Sequence, residues 1–398
     1  MKSGRVNHPR IFLSAGETSG DLHGANLVRA LRRLAPDAEL VGLGGPRMAD
    51  AGCRLLHDTV HFGVIGLGFL GSASKYLEVL SRADRFIGRW QPDVAVTIDC
   101  PGFHFLLGSR LRARRVPLLW YIPPQLWAWA PWRVRKLARR FTHVACVLPH
   151  EEAFFRRHGV PVTFVGHPVV DHLMRTPLDD SFVRSLRESP DERLVALLPG
   201  SRRQEVPGIL RRQLTVAGAL ARRHGPLRMV LALADEAHRA WTNPLVAASG
   251  LAVRTVVGKT HEVQSAADLA LVASGTATLE LAFYATPMMV FYNITWAQWH
   301  LLVRWFVGGQ PLSLPNVLAG RRIVPEFMRD LEPGPEMIET ISRLLVDERA
   351  RAEMKSALAD VRRRIEKPGA AENAARLALD LAGRPIPPPP AWRPGFAL

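Results

Sequence analysis

Short β-type runs of apolar residues alternate with longer helical stretches along almost the whole chain. In the first half the candidate strands are Ile11–Ser14, Val94–Ile98, Leu118–Tyr121, Val144–Leu148 and Thr163–Val165. This alternation is typical of parallel sheets built from βαβ units, whose ligands bind beyond the carboxyl ends of the strands. The pattern therefore predicts an α/β fold and directs attention to the loops that follow the strands.

The alternation stops and then restarts near the middle of the chain. Residues 176–193 are polar and contain Pro177 and Pro190, and five further candidate strands follow them: Leu194–Leu198, Met229–Ala232, Arg254–Val257, Leu269–Ala273 and Met288–Phe291. A chain of 398 residues also exceeds what one hydrophobic core usually serves. We therefore predict two doubly wound parallel sheets, with domains at 1–175 and 176–355, further C-terminal helices at 356–384 and a proline-rich tail at 385–398.

The charge balance favours an anionic partner. The sequence has 52 Lys and Arg against 36 Asp and Glu, a formal net charge of +16. Nucleic acid, anionic lipid and a phosphorylated substrate all fit this charge. Because no nucleic-acid recognition module is visible and Trp residues accompany some basic stretches, we prefer a membrane surface and expect no nucleic acid. A solvated helix face remains the alternative for each basic run.

The sequence lacks the features of a membrane-spanning, secreted or disulfide-rich protein. The sequence has no apolar stretch of the eighteen or so residues that a spanning helix needs, and residues 1–10 lack the apolar core of a signal peptide. Cys53, Cys100 and Cys146 have neither disulfide nor metal-ligand spacing. We therefore expect a cytoplasmic protein without a disulfide framework or a zinc site.

A glycine-rich loop follows the first strand, with the sequence Ser14-Ala15-Gly16-Glu17-Thr18-Ser19-Gly20-Asp21. Gly16 permits a tight turn, the helix that follows offers backbone N–H groups near Ser19, and Glu17 can accept hydrogen bonds from a sugar. An ordinary turn in which Asp21 caps the helix is the alternative.

Two more loops of the first half carry charged side chains. Arg47 lies beside Gly44 and Gly45, after the strand-like run Glu39–Leu43, where it can meet an anion or simply occupy a turn. Asp99 follows the buried strand Val94–Ile98 and is placed to take a proton from a hydroxyl group, unless it caps a turn.

Tryptophan is concentrated in two segments. Trp127, Trp129 and Trp132 lie among prolines, which favours stacking on a sugar or contact with an acyl chain, with core packing as the alternative. Trp296, Trp299 and Trp305 lie with Arg304 on a predicted helix that fits a membrane interface, an acyl groove, a core helix or an oligomer contact.

Two strand-to-helix loops in the second half suit a nucleotide diphosphate. In the first, backbone N–H groups at Gly200 and Ser201 would act with Arg202 on phosphate. In the second, Ser274, Gly275 and Thr276 can donate to phosphate, while Glu280 can accept from ribose hydroxyls. An ordinary helix cap is the alternative for the second loop.

These motifs together resemble the lipid-A-disaccharide synthase family over nearly the full length of the chain. The resemblance is carried by the loops described above and by Gly45-Pro46-Arg47-Met48, Ile98-Asp99-Cys100-Pro101, Trp127-Ala128-Trp129, Gly166-His167-Pro168, Leu198-Pro199-Gly200-Ser201-Arg202 and Leu314-Pro315-Asn316-Val317. It implies a GT-B glycosyltransferase with two Rossmann-like domains facing a cleft, in which the C-terminal helices at 356–384 return to the N-terminal domain. It also implies an inverting transfer of diacylglucosamine from UDP to lipid X. It also implies no metal or cofactor, attachment to the inner face of the inner membrane, and a monomer or homodimer.

The resemblance assigns roles to individual residues. Glu17 and Asp99 fall on acidic catalytic positions, and Asp99 is the candidate general base, with His104 or His23 as possible helpers. The donor positions are Gly200, Ser201, Arg202, Ser274, Gly275, Thr276, Glu280 and Asn316. The acceptor and lipid positions are Gly16, Ser19, Arg47, Trp127 and Trp129.

The chain departs from the family pattern in the acceptor half. Gly102 and His104 stand where the family commonly has Asp and Asn, Phe69 where it has Glu, and Pro123-Pro124-Gln125 where it has a Ser-Pro-Ser-like stretch. The resemblance therefore supports the donor chemistry better than the identity of the acceptor. The alternatives are a GT-B transferase or nucleotide-sugar epimerase with another substrate, and a non-catalytic paralogue that binds lipid-linked sugars.

Overall fold

The computed structural model describes residues 8–60, 69–189, 191–293, 311–327 and 334–385. The chain forms two compact units, one comprising Met1–Asp171 with Ile365–Leu398 and the other His172–Arg364. Each unit is built around one parallel sheet, which confirms the predicted α/β class with two Rossmann-like sheets.

The sheet of the first unit has seven strands in the order β3-β2-β1-β4-β5-β6-β7. The strands are β1 Arg10–Ala15, β2 Glu39–Gly44, β3 Arg54–Asp58, β4 Val94–Ile98, β5 Leu118–Tyr121, β6 His143–Cys146 and β7 Val162–Phe164. The strand order reverses between β1 and β4, which pair in parallel with Ala15 opposite Ile98. Ligands of doubly wound sheets bind at such a reversal, so this edge is the first place to look for a site.

The helices of this unit cover both faces of the sheet and explain its apolar strands. They are α1 Thr18–Leu34, α2 Pro46–Asp50, α3 Phe69–Trp90, α4 Pro101–Ala113, α5 Leu126–Trp129, α6 Val134–Ala138, α7 Pro149–Arg157 and α8 Pro168–Arg175, the last of which runs into the second unit. Strands buried on both faces are apolar without alternation, and every residue of β4 and β5 is buried. Trp120 fills this core with its ring centroid 4.4 Å from that of Phe141.

The sheet of the second unit has six strands in the order β10-β9-β8-β11-β12-β13. The strands are β8 Leu194–Leu198, β9 Arg228–Leu233, β10 Val253–Val257, β11 Leu269–Ala273, β12 Met288–Phe291 and β13 Glu326–Phe327. Its described helices are α9 Asp180–Ser185, α10 Val206–His224, α11 Arg239–Ser249, α12 Thr260–Ala266, α13 Ala277–Phe283, α14 Leu314–Ala319, α15 Pro335–Val346 and α16 Glu348–Ile365. The order reverses between β8 and β11, so the loops after these two strands are neighbours.

The last helix, α17 Ala370–Leu381, belongs to the first unit. The Asp171 carboxylate accepts hydrogen bonds from the backbone N–H groups of Gly369 and Ala370, both at 2.7 Å, and so stabilises the positive end of the helix dipole. At the other end Arg384 donates to both carboxylate oxygens of Asp37. These two contacts hold both ends of α17 to the first unit.

All ten candidate strands of the sequence are present, and the differences have local causes. The strand predicted at Val144–Leu148 ends at Cys146, because Pro149 begins α7 three residues after it. Strands β3 and β13 were not predicted, and the polar segment 176–193 contains helix α9. None of the helices within the described ranges is long and apolar enough to cross a membrane. Trp296, Trp299, Arg304 and Trp305 lie outside these ranges.

Candidate functional site

The loops after β1 and β4 are in direct contact at the strand reversal of the first unit. A Cβ atom on Gly16 would lie 2.4 Å from Sγ of Cys100, so only glycine permits this contact. The close approach places the predicted acidic residues Glu17 and Asp99 on touching loops. Both carboxylates affect the buried Cys100 thiol, whose pKa rises to about 12 because of burial and then of the Glu17 charge, with a smaller effect of Asp99. The structure therefore brings Glu17 and Asp99 together.

Asp99 has an unusual backbone conformation. Asp99 and Cys100 have φ angles of +54° and +45°, a left-handed pair of non-glycine residues that costs about 1–3 kcal/mol for each residue. The backbone N–H of Asp99 donates to the carbonyl oxygen of Tyr121 at 3.1 Å. Burial raises the pKa of the Asp99 carboxyl, and a hydrogen bond from the backbone N–H of Cys100 partly opposes this shift. A raised pKa brings a carboxylate closer to the value that suits a general base near neutral pH.

His104 supports the backbone of Asp99. Its Nδ1 lies 2.6 Å from the carbonyl oxygen of Asp99, and its Nε2 lies 2.9 Å from the Ser14 hydroxyl. The ring is fully buried, and burial lowers the pKa of His104 to about 4. Both ring nitrogens are engaged inside the protein, so within the structure the ring acts on Asp99 through its backbone. Gly102, three residues after Asp99, leaves Asp99 without the second carboxylate of the family pattern.

Asp21 has a different role from the one considered from sequence. Its buried carboxylate accepts hydrogen bonds from the backbone N–H groups of Gly45, Arg47 and Met48 at 2.9, 3.1 and 3.0 Å. It therefore caps α2 rather than its own helix, and fixes the loop after β2 beside the loop after β1. The Arg47 side chain is left exposed to solvent, as is Ser19 in the first turn of α1.

Two further histidines lie near this edge. Burial lowers the pKa of His23 and of His167 to about 4, and at His167 the neighbouring His23 adds to the effect. The backbone N–H of Val169 donates to Nδ1 of His167 at 3.2 Å, which places the proton of this neutral ring on Nε2. His23 Nδ1 is buried and has no hydrogen-bond partner. Both rings are therefore neutral hydrogen-bonding groups near neutral pH.

Trp127 is half-buried and attached to α7. Its Nε1 donates to Glu151 at 3.4 Å, and its ring meets the ring of His150 edge-on, with centroids 4.5 Å apart. Glu151 is buried, and burial raises its pKa to about 8. These contacts account for part of the Trp127 surface. The side chain of Trp129 lies outside the described part of the structure.

The loop after β8 in the second unit runs from Pro199 to Glu205. Gly200 has a φ angle of +97°, and residues 201–205 form a turn before α10 begins at Val206. Ser201 and Arg202 are exposed, and the Arg202 guanidinium pairs with Glu205 at 3.3 Å. A Cβ atom on Gly200 would lie 3.4 Å from Cβ of Ala273 at the end of β11, so the two predicted donor loops are neighbours.

The loop after β11 presents polar groups to solvent. Ser274, Gly275 and Thr276 are exposed, and α13 begins directly after them. Glu280 lies one turn further on, and its Oε2 accepts a hydrogen bond from Gln264 at 2.7 Å. Gln264 is buried and is within 3.3 Å of His261 Nδ1 through its own Oε1. Sequence reasoning missed Gln264, because nothing in the sequence indicated that α12 faces α13.

Asn316 uses its whole hydrogen-bonding capacity inside the protein. Its Oδ1 accepts from the backbone N–H groups of Ile323 and Val324 at 2.6 and 2.9 Å. Its Nδ2 donates to the carbonyl oxygen of Val324 and to Glu326 at 2.8 and 2.7 Å. An amide side chain offers two donor and two acceptor positions, so no position is left for a donor sugar. Asn316 therefore joins α14 to β13.

The described ranges contain neither a metal-binding cluster nor a disulfide bond. Across the ranges that the structure describes, no three His, Cys, Asp or Glu side chains are grouped so as to hold a metal ion. Cys53, Cys100 and Cys146 are free and buried.

Known proteins resemble the chain in sequence and in fold. A family model described as LpxB, Lipid-A-disaccharide synthetase, matches residues 11–380. A Lipid-A-disaccharide synthase from Myxococcus xanthus is 37% identical over 383 residues, covering 94% of this chain and 98% of the relative. One from Geobacter sulfurreducens is 35% identical over 381 residues, covering 95% and 98%.

Two solved structures show the same fold at low sequence identity. Acinetobacter baumannii MurG has a TM-score of 0.59 at 15% identity and covers 94% of this chain and 99% of its own. The S. aureus MnaA–UDP co-structure has a TM-score of 0.62 at 13% identity and covers 93% and 96%. At these identities the likeness shows a GT-B-like fold alone.

Proposed function

The chain belongs to the Lipid-A-disaccharide synthetase family, which makes it a glycosyltransferase of lipid A biosynthesis, and from this premise we propose its substrates and the roles of its residues. The donor is UDP-2,3-diacylglucosamine and the acceptor is 2,3-diacylglucosamine 1-phosphate, or lipid X. The acceptor 6-hydroxyl attacks the anomeric carbon, the bond from that carbon to the diphosphate breaks, and UDP leaves. The hydroxyl proton passes to a carboxylate of the protein.

Asp99 is the proposed general base. The observation that carries this role is its position at the reversal between β1 and β4, half-buried and beside Glu17. Since burial favours the protonated form, the carboxylate gains a proton more readily than an exposed aspartate would. Glu17 accepts hydrogen bonds from the acceptor sugar, and the exposed Arg47 faces its phosphate. Gly16, Ser19, Trp127 and Trp129 complete the proposed acceptor set.

The second unit holds the donor in this proposal. Backbone N–H groups at Gly200 and Ser201, with the exposed Arg202, oppose the charge that develops on the leaving diphosphate. Ser274, Gly275 and Thr276 donate to the same phosphates from the adjacent loop. Glu280 accepts from the ribose hydroxyls, and Gln264 fixes its orientation through the hydrogen bond at 2.7 Å. Asn316 shapes the neighbouring backbone.

We also propose that the protein works at the cytoplasmic face of the inner membrane as a peripheral protein. The support is the net charge of +16 together with apolar side chains that face solvent in the first unit. Leu106 of α4 is 48% exposed and Trp132, just before α6, is 60% exposed. Helix α6, which follows Trp132, contacts α4, because the Lys136 ammonium lies 5.5 Å from the centroid of the Phe105 ring. Arg140, two residues after α6, also donates to the carbonyl oxygen of Phe105.

A condensation assay tests the substrates directly. Purified protein with UDP-2,3-diacylglucosamine and lipid X should give a β-1′,6 disaccharide, identified by mass spectrometry, and UDP in equal amount. Omitting lipid X should stop the release of UDP. Release of UDP from the donor alone, or a product that contains only one sugar, would contradict this assignment.

A further inference from the structure

We propose that His104 and Ser14 form a positioning pair that holds the Asp99 carboxylate in its reactive place. The inference rests on the proposed function, since it presupposes that Asp99 is the base. It adds two residues that touch no substrate and act only through Asp99. It also gives a role to His104, which stands where the family commonly has asparagine.

The backbone of Asp99 is held at both of its polar groups. Its N–H donates to the carbonyl oxygen of Tyr121 in β5, and its carbonyl oxygen accepts from His104 Nδ1 at 2.6 Å. The φ angles of +54° at Asp99 and +45° at Cys100 are unfavourable for residues with a Cβ. A conformation of this kind persists only where surrounding contacts hold it, and the His104 contact fixes the peptide plane between the two residues.

The hydrogen bonds of His104 determine its tautomer. A carbonyl oxygen only accepts, so Nδ1 carries the proton that is donated to Asp99. Nε2 is then the acceptor, and the Ser14 hydroxyl donates to it at 2.9 Å. Ser14 lies in β1, which pairs with β4, so the hydroxyl is fixed by the same sheet that carries Asp99. Ser14 thereby selects the tautomer that can hold Asp99.

Packing prevents the ring from turning. The His104 ring meets Trp120 and Phe103 edge-on, at centroid distances of 6.2 and 5.7 Å. The ring is fully buried and stays neutral, because burial lowers its pKa to about 4. Glu17 and Asp99 both raise the pKa of the neighbouring Cys100 thiol, whereas the neutral His104 ring adds no charge there. Its effect on Asp99 is geometric.

Two substitutions of His104 separate the hydrogen bond from the volume of the ring. His104→Leu fills space but removes the donor, and kcat should fall about 10–100-fold, the range seen when an orienting partner is lost. KM for donor and acceptor should stay within about twofold, since neither substrate touches His104. His104→Asn places an amide N–H where Nδ1 lies, and it should recover most of the lost kcat. Ser14→Ala should give an intermediate loss.

The pH profile distinguishes positioning from a general weakening of the fold. Asp99 released from its buried place loses the desolvation that raises its pKa, so the acid limb of the kcat profile should move to lower pH in His104→Leu. Loss of folded protein would lower the whole profile without moving that limb. Circular dichroism and UDP binding report whether each variant is folded.

Several results would overturn the inference. A folded His104→Leu variant with the kcat of the wild type would do so. Equal losses of kcat in the Leu and Asn variants, with the acid limb of the pH profile unmoved, would also do so. If the Leu variant does not fold, a Ser14→Ala variant with the kcat of the wild type would overturn the inference. In each case an inactive Asp99→Asn leaves the proposed function standing. An active Asp99→Asn instead removes the proposed base, and this inference falls with it.

Discussion

At the scale of single residues, Arg202 offers the sharpest test of the donor site. Its side chain is 79% exposed and pairs with Glu205, a contact worth about 0–1 kcal/mol. Arg202→Ala should therefore leave folding nearly unchanged. If the guanidinium opposes charge on the leaving UDP, its loss should cost roughly 2.7–4 kcal/mol in the transition state, or about 10²–10³-fold in kcat.

The measurement for Arg202 is kcat beside a matched control. Arg211 on α10 is also exposed, and Arg211→Ala removes the same charge outside the loop after β8. That variant should keep kcat within about threefold of wild type, as expected for an exposed charge away from the reacting groups. Equal kcat in the two variants would remove Arg202 from the mechanism.

Residue types near the site were easier to predict than their partners. The sequence identified Glu17 and Asp99 because they closely follow strands, and Glu280 because it lies one helical turn past Thr276 in the loop after β11. It could not show that Asp21 caps α2, that Gln264 holds Glu280, or that Asn316 is saturated by backbone groups. Those contacts join residues that are distant in the chain or on elements whose packing no local pattern reveals.

At the scale of secondary-structure elements, α7 begins with a buried acid that makes the stability of the first unit depend on pH. The Glu151 carboxyl accepts from the backbone N–H of Leu148 at 3.3 Å. Burial raises its pKa from 4.5 to about 8, so the folded state favours the protonated form. With respect to Glu151, the folded state is therefore most stable relative to the unfolded state below about pH 4.5, where Glu151 is protonated in both states. This contribution to the free energy of unfolding is lost as the pH rises through about 8.

Glu151→Gln should remove that pH dependence, because the amide stays neutral. Urea unfolding of wild type and variant at about pH 6 and about pH 9 measures the effect. The variant should gain stability relative to wild type at the higher pH. A difference in unfolding free energy that is the same at both pH values would show that Glu151 does not titrate in this window.

Strand positions followed from local composition, whereas strand ends and the last helix depended on tertiary contacts. The apolar runs at β4, β5, β8 and β11 are buried on both faces, so their sequences are distinctive. Strand β13 has only two residues and pairs with β12, too short for any periodicity. That α17 belongs to the first unit was expected only from the resemblance, because local composition does not reveal its contacts with Asp171 and Asp37, which lie far from it in sequence.

At the scale of the whole molecule, the basic surface predicts binding to anionic membranes. A chain of net charge +16 should bind vesicles containing phosphatidylglycerol more tightly than vesicles of phosphatidylcholine alone, and salt should weaken the preference by screening. Sedimentation with vesicles measures both effects. Equal binding to the two kinds of vesicle, unaffected by salt, would contradict the proposed location.

The exposed apolar residues of the first unit should contribute to this binding. Trp132→Ser and Leu106→Ser together should weaken it, since their side chains are the apolar surface offered by α4 and the turn before α6. Val346→Ser is the matched control, because Val346 is 53% exposed but is followed by Asp347 and Glu348. The control should bind vesicles as the wild type does.

The central claim is that a carboxylate at the reversal between β1 and β4 removes the proton from the acceptor hydroxyl. Asp99→Asn keeps the shape of the side chain and removes the base, an effect worth about 10²–10⁴-fold in rate. The decisive measurement is the rate of disaccharide formation by this variant, with UDP binding measured on the same sample. The account predicts that disaccharide formation falls by at least about 100-fold while UDP binding stays near that of the wild type. Disaccharide formation at close to the wild-type rate would contradict it.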